Sequence, residues 1–305
     1  MSDGGPAPRP GRSADQPPRQ RTRGEVESIL AAGRDQAPPS TSSIGAGIET
    51  GPFSDGEPCT VVSRSSPAAS GGGRTLRIVL VAGPKDHGPG EHDYPGFQQS
   101  WAALLAKAPG VATATAFGWP DADQWAATDV VVLYFWNHAW SPSQYADLDA
   151  HLARGGGLVL VHAAIIEDQR PDELARRSGL AGRRPVMQFR HGPVRLCIPP
   201  SARQHPIVRG FTEIDLVDEA YWTFSGDERG VEVLGHSDEE GSPRPLLWTH
   251  ETAEGRVFCS ALGHYSWTFD DPLFRIVLLR AIAWVAREPA ERLTSLATVG
   301  LALAR

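Results

Sequence analysis

Leu76-Arg77-Ile78-Val79-Leu80-Val81-Ala82, closed by Gly83-Pro84, is the stretch from which the fold is read. A continuous apolar, partly β-branched run without alternation is the pattern of a strand buried on both faces, as in a parallel sheet. Two more runs repeat it, at residues 129–135 (DVVVLYF) and 158–161 (LVLV). A weaker one at 111–117 ends in Gly118-Trp119-Pro120. Helical periodicity fills the intervals. Residues 96–106 place Phe97, Trp101, Leu104 and Leu105 on one face. Ser141-Pro142 then opens a helix with Ser at N-cap and Pro at N1. Its apolar face is Tyr145, Leu148 and Leu152, and Gly155-Gly156-Gly157 stops it. Strands alternating with helices predict an α/β fold, a doubly wound, mainly parallel sheet with helices on both faces.

Beyond Pro171 the pattern loosens. Residues 194–198, 231–234, 246–249 and 257–261 read as strands separated by irregular segments rich in His, Trp and Asp. Residues 272–286 form a closing helix, and 289–305 a tail or short helix. The first quarter of the chain differs in kind. Of its 305 residues, the first 75 hold 12 of the 32 Gly and 10 of the 26 Pro. Residues 1–75 are therefore expected to be a disordered, Pro/Gly-rich tail that the folded body can lose.

Charge follows the same boundary. The tail carries 8 Arg against 4 Asp and 4 Glu, so the whole formal charge of −7 lies on the body. An acidic body without a basic stripe argues against a nucleic-acid partner. No apolar run approaches membrane-spanning length, and no apolar segment at the amino terminus resembles an export signal. Three Cys (Cys59, Cys197 and Cys259) with no C-x-x-C pair suit reduced thiols in a cytoplasm. The sequence names no protein partner and is compatible with a homo-oligomer.

Ligands of open α/β sheets bind outside the carboxyl ends of the strands. The first strand runs into a Gly/Pro-rich loop bearing His87 and His92; the third is followed by Trp136, Asn137 and His138. The fourth ends in His162, and the last runs into Gly263-His264. Five of the ten His thus gather at one sheet edge. The loop at 83–90 is neither a P-loop nor a dinucleotide fingerprint, so no NAD, FMN or ATP cofactor is indicated. His162 stands where flavodoxin-like glutamine amidotransferases carry a nucleophilic Cys on a strand-to-helix turn. The run Leu160-Val161-His162-Ala163-Ala164 offers neither Cys nor Ser, which excludes that hydrolysis.

Several ordered motifs carry a family resemblance. They are His205-Pro206-Ile207-Val208-Arg209-Gly210-Phe211, Asp218-Glu219-Ala220-Tyr221, Gly255-Arg256-Val257-Phe258, Leu262-Gly263-His264, Phe274-Arg275 and Ile282-Ala283-Trp284. With His87-Gly88, His92 and Gly118-Trp119-Pro120, the chain over roughly residues 76–287 resembles the ThuA-like (trehalose utilisation) family. The resemblance implies a flavodoxin-like domain of the amidotransferase-like superfamily without its Cys, over residues 76–288. It also implies a role in disaccharide or keto-sugar catabolism. The chain departs from the family pattern at Asp86, where a Ser usually precedes the first His-Gly.

On this basis His87, His162 and His264 are expected to converge with Glu219 or Asp218 as catalytic groups. An imidazole titrating near neutrality moves the protons that enolisation beside a ketone requires. Adjacent residues of an extended segment point to opposite sides, so one of Asp218 and Glu219 enters the pocket. His92, Trp119, Trp136, His138 and Tyr221 are expected to bind the small-molecule sugar, aromatic faces stacking on its C–H surfaces. Two alternatives stand beside this reading. One is a divalent-metal-dependent sugar hydrolase or isomerase with His87, His162, His264 and one carboxylate as ligands, although no tight His spacing on a helix supports a metal. The other is a non-catalytic sugar-binding or accessory protein.

Overall fold

The computed structural model describes residues 17–34 and 74–304. In chain order the elements are α1 (Arg23–Arg34), β1 (Leu76–Ala82), α2 (Tyr94–Leu105), β2 (Val111–Phe117), α3 (Ala122–Ala127), β3 (Val130–Tyr134), α4 (Pro142–Ala153) and β4 (Gly157–Val161). There follow α5 (Pro171–Ser178), β5 (Leu180–Ala181), β6 (Gln188–Cys197), β7 (Glu213–Trp222), β8 (Ser225–Gly226), β9 (Glu232–Glu239), β10 (Ser242–Glu251), β11 (Arg256–Ser260) and α6 (Pro272–Val285). The expected closing segment is a short 3-10 helix, Ala290–Leu296. No helix among the described residues is long and apolar enough to cross a membrane.

Nine strands form one sheet in the order β2-β1-β3-β4-β11-β10-β9-β6-β7. The pairings β1–β2, β1–β3, β3–β4 and β4–β11 are parallel. The remaining four, β11–β10, β10–β9, β9–β6 and β6–β7, are antiparallel. The sheet is therefore evenly mixed, which corrects the expectation of a mainly parallel one. The reason is local. Parallel strands need long crossovers, whereas a short turn can join only antiparallel strands. Glu240-Gly241, both at positive φ, make such a two-residue turn between β9 and β10. β11, the strand expected at 257–261, follows β10 through a short turn and so lies parallel beside β4.

The caps follow the sequence. Ser141 and Asp121 each form a capping box with the Gln three residues on, at the starts of α4 and α3. Every residue of α6 is buried, Arg275 and Arg280 included. Arg280 reaches the carbonyl of Arg209 at 2.7 Å and Glu291 at 3.0 Å, so its charge is compensated where water is excluded. Cys197 and Cys259 are free thiols, and burial pushes the Cys259 thiol up.

Residues 17–34 depart from the expected solvated tail. Arg21 is buried and its Nε donates to Asp271 Oδ2 at 2.8 Å. Thr22 and Ala304 form a parallel bridge, and Val26 of α1 is buried in the core. The amphipathic segment survives as structure because a buried guanidinium needs its carboxylate. The rest of the expected tail, with Arg9, Arg12 and Cys59, lies outside the described residues.

His151 of α4 gives the fold an acid sensitivity. Its Nε2 lies 2.9 Å from the Gly157 carbonyl and its Nδ1 3.0 Å from Arg154 Nη2, a pattern that assigns the neutral Nε2–H tautomer. Burial pushes its pKa from the ordinary 6.5 down to about 4. Between those values the unfolded chain binds a proton that the folded chain refuses. Stability is therefore lost as pH falls through this window, by up to about 3 kcal/mol. The melting temperature is expected to fall between pH 6.5 and about 4, less steeply in His151→Gln. Equal slopes would contradict the assignment.

Candidate active site

The site is assembled at the carboxyl edge of the parallel strands. β4 runs directly into His162, which has φ +50. A left-handed backbone costs a non-glycine residue about 1–2 kcal/mol, and the surroundings hold it. His162 Nδ1 lies 2.8 Å from the Ala261 carbonyl, so Nδ1–H donates there and Nε2 faces inward. The loop after β1 closes over this edge. Its His92 N–H donates to the His264 carbonyl at 2.8 Å, and Glu91 forms an antiparallel bridge with Tyr265.

β11 leads into Gly263-His264. Gly263 has φ +127, and a Cβ there would come within 2.9 Å of Val161 Cγ1 and 3.0 Å of Phe269 Cζ. Only glycine lets this turn press against β4. Asp218 of β7 fixes the turn from the other side. Its carboxylate accepts from the N–H groups of Gly263 (2.8 Å), His264 (2.9 Å) and Glu219 (2.8 Å).

Glu219, the next residue, points the opposite way and receives three imidazoles. His264 Nδ1 is 2.9 Å from Oε2, His162 Nε2 is 3.2 Å from Oε2, and His191 Nε2 is 3.1 Å from Oε1. Burial works to raise this carboxyl, but the hydrogen bonds from His162, His191 and His264 outweigh it and hold it well below the usual carboxylate range. Burial lowers His264, and pushes His92 down to about 3. An anionic carboxylate thus sits among imidazoles, two of which stay neutral at pH 7. Tyr221 Oη lies 2.8 Å from His162 Nε2, its ring stacked on the His162 ring.

Asp86, the residue that departs from the family pattern, joins the loop to this cluster. Its Oδ1 lies 2.7 Å from His87 Nδ1 and 2.8 Å from His92 Nδ1. Tyr94 Oη donates to Oδ2 at 3.1 Å.

The cluster floors a cleft of about 290 Å³. His87, Glu91, His92, His191, Glu219 and His264 form its polar wall. Trp136, Ile166, Met187, Phe189 and Tyr221 form the apolar one. Arg184 completes the lining, its guanidinium 3.6 Å from the Trp136 ring centre.

The family model described as ThuA, trehalose utilisation, matches residues 103–285. The chain belongs to the ThuA family. Membership implies a role in trehalose utilisation, and so in carbohydrate metabolism. Solved structures similar to this ThuA chain include two ThuA-like proteins. A ThuA-like protein of Parabacteroides merdae is 20% identical, with a TM-score of 0.55 over 70% of this chain and 90% of its own. A ThuA-like protein of Bacteroides uniformis is 14% identical, with a TM-score of 0.54 over 74% of this chain and 99% of its own. At these identities the likeness concerns the fold. No curated protein matches the sequence.

The ThuA cleft contains His87, His92, His264, Glu219, Trp136 and Tyr221 from the sequence reading. His162 touches Glu219 from beneath, fully buried. Three expected residues stand elsewhere. Asp218 is turned away to the Gly263-His264 backbone. Trp119 packs on Trp125 and Trp140, and its Nε1–H donates to Asp147 at 2.8 Å. His138 stacks on Trp136 without lining the cleft. The family match begins at residue 103, after the His87–His92 loop, so these two His rest on geometry. Sequence reading passed over His191, whose signal lies in strand register: His191 of β6 pairs directly with Glu219 of β7.

Proposed function

We propose that this ThuA protein acts on a keto-sugar or disaccharide in the cleft by imidazole-based acid–base chemistry. The observation that carries the reading is the Glu219 carboxylate, buried and held by three imidazoles beneath a half-aromatic wall. Phe189, 42% exposed, offers a ring face to the C–H surfaces of a pyranose, with the edges of Trp136 and Tyr221 in the same wall. Glu91, His87 and Arg184 offer charge and hydrogen bonds to its hydroxyls.

Proton transfer falls to His191 and His87. Their side chains are 13% and 36% exposed, against 0% for His162 and 1% for His264. Glu219 orients His191 through Oε1 and stabilises the imidazolium formed when that ring takes a proton, the role a buried carboxylate plays beside a catalytic His. Asp86 does the same for His87. A ketone next to the carbon being deprotonated makes that proton acidic enough for an imidazole. We further read the parallel strands, in the order β2-β1-β3-β4-β11, as a flavodoxin-like core with an antiparallel extension that delivers Glu219 and His191.

The test is product formation. The protein is incubated with 3-keto glucosides and with the parent disaccharides, and the sugars are followed by NMR. A new product from a keto-sugar or disaccharide is expected. Binding seen by calorimetry with no product from either set would leave a non-catalytic sugar binder and overturn the catalytic reading.

A further inference from the structure

We propose that His92, His162, Glu219 and His264 form a binding site for one divalent first-row transition ion. One ligand atom from each of the four lies within 4.8 Å of all the others, and all four residues are buried. Ions of this class hold nitrogen and oxygen at about 2.0–2.2 Å, so ligand atoms around one tetrahedral ion stand about 3.3–3.5 Å apart. Two of the observed separations stand at the lower edge of that range, and a third is shorter, at hydrogen-bond length. His162 Nε2 is 3.2 Å from Glu219 Oε2 and 3.3 Å from His264 Nδ1, and His264 Nδ1 is 2.9 Å from Glu219 Oε2.

The fourth ligand is the second observation. His92 is 2% exposed and spends Nδ1 on Asp86 and Tyr94. Its Nε2 is buried and has no hydrogen-bond partner. A buried polar nitrogen is ordinarily paired, and this one belongs to a ring 4.6 Å from His264 and 5.0 Å from His162, centre to centre. His264 Nε2 is likewise buried without a hydrogen-bond partner.

The outer contacts have the form that metal sites use. A ligating His donates its other ring N–H to a carboxylate or a backbone carbonyl, which fixes the tautomer and aims the lone pair. His92 has the Asp86 carboxylate, and His162 has the Ala261 carbonyl. Three imidazoles with one carboxylate suit zinc, iron or manganese better than calcium or magnesium. The set differs in one ligand from the three His and one carboxylate read in the sequence. His87 stands at the mouth with its Nδ1 on Asp86, and His92 replaces it. A cation here would polarise a sugar oxygen or acidify a bound water. His87 and His191, which lie outside the four, would keep the proton transfer.

Ion binding is read without turnover, so its failure and the failure of the sugar reading are separate results. Protein made without a histidine tag is stripped with chelator and dialysed against Zn²⁺, Mn²⁺ or Co²⁺. Elemental analysis is expected to find about one equivalent of at least one of these ions. The melting temperature is expected to rise when that ion is restored. His92→Ala with Glu219→Ala is expected to lose the ion, and His250→Ala to keep it. Asp86→Asn leaves all four ligands in place and is expected to weaken binding about 10–100-fold. Less than about a tenth of an equivalent with every ion would overturn the site. So would wild-type affinity in the folded double variant or, where that variant does not fold, in Asp86→Asn.

Discussion

Glu219→Gln is expected to lower turnover of the sugar substrate by about 10²–10⁴-fold and to leave the fold intact. The amide keeps the size of the side chain but not its charge. One of its two positions becomes an N–H₂ donor where a carboxylate oxygen now accepts from an imidazole. Glu219 meets His162 and His264 through Oε2 and His191 through Oε1, so no rotation of the amide satisfies all three rings. His191 then loses either its orientation or the partner of its imidazolium. The loss should fall on kcat, because the aromatic wall that binds the sugar is untouched. Steady-state kinetics, with circular dichroism as the control for folding, checks this. Unchanged kcat in a folded variant would remove Glu219 from the chemistry.

The second large effect is on stability. Asp271→Ala is expected to cost up to about 4–6 kcal/mol. Asp271 Oδ2 pairs with Arg21, and Oδ1 caps α6 through the N–H groups of Leu273 (2.8 Å) and Phe274 (3.4 Å). Both side chains of the pair are at most 5% exposed. Removing Asp271 leaves the buried Arg21 only the Asp215 carbonyl and Glu25, the latter at 4.0 Å, which costs up to about 3–5 kcal/mol, and losing the cap adds about 1. The melting temperature should drop by up to about 10–20 °C for a body of this size. A chain beginning at Arg74 lacks Arg21 and should lose part of the same stability, contrary to the expectation of a dispensable tail. A loss below about 1 kcal/mol in Asp271→Ala would show that the Arg21 contact does not hold the segment to the body.

The parallel half of the sheet was legible because its strands are buried on both faces and read as unbroken apolar runs. β1 and β2 lie where the sequence puts them, at Leu76–Ala82 and Val111–Phe117. The antiparallel half was harder to read. β7 (Glu213–Trp222) carries acidic residues at 213, 215, 218 and 219, and no apolar pattern announces a buried strand. Its inward carboxylates are buried because imidazoles and backbone N–H groups receive them, a compensation visible only in three dimensions. For the same reason His162 and His264 were legible at strand ends, while His191 was not. His191 reaches Glu219 by cross-strand register, and single-strand patterning does not encode register. Helix α1 was hidden in a Pro/Gly-rich context, and Arg21 gave no sign of a partner 250 residues away. Asp218 and Glu219 show the converse. Their adjacency in an extended segment predicts opposite orientations, and the two carboxylates take them.

Proton transfer at a sugar carbon is tested most directly by solvent exchange. A 3-keto glucoside is held with the protein in D₂O, and the protons on the carbons flanking the ketone are followed by NMR. The wild-type protein is expected to exchange these positions for deuterium well above the buffer rate, and Glu219→Gln to exchange them near that rate. Bound sugar that exchanges no faster than in buffer with the wild-type protein, and yields no product, would contradict acid–base chemistry at this site.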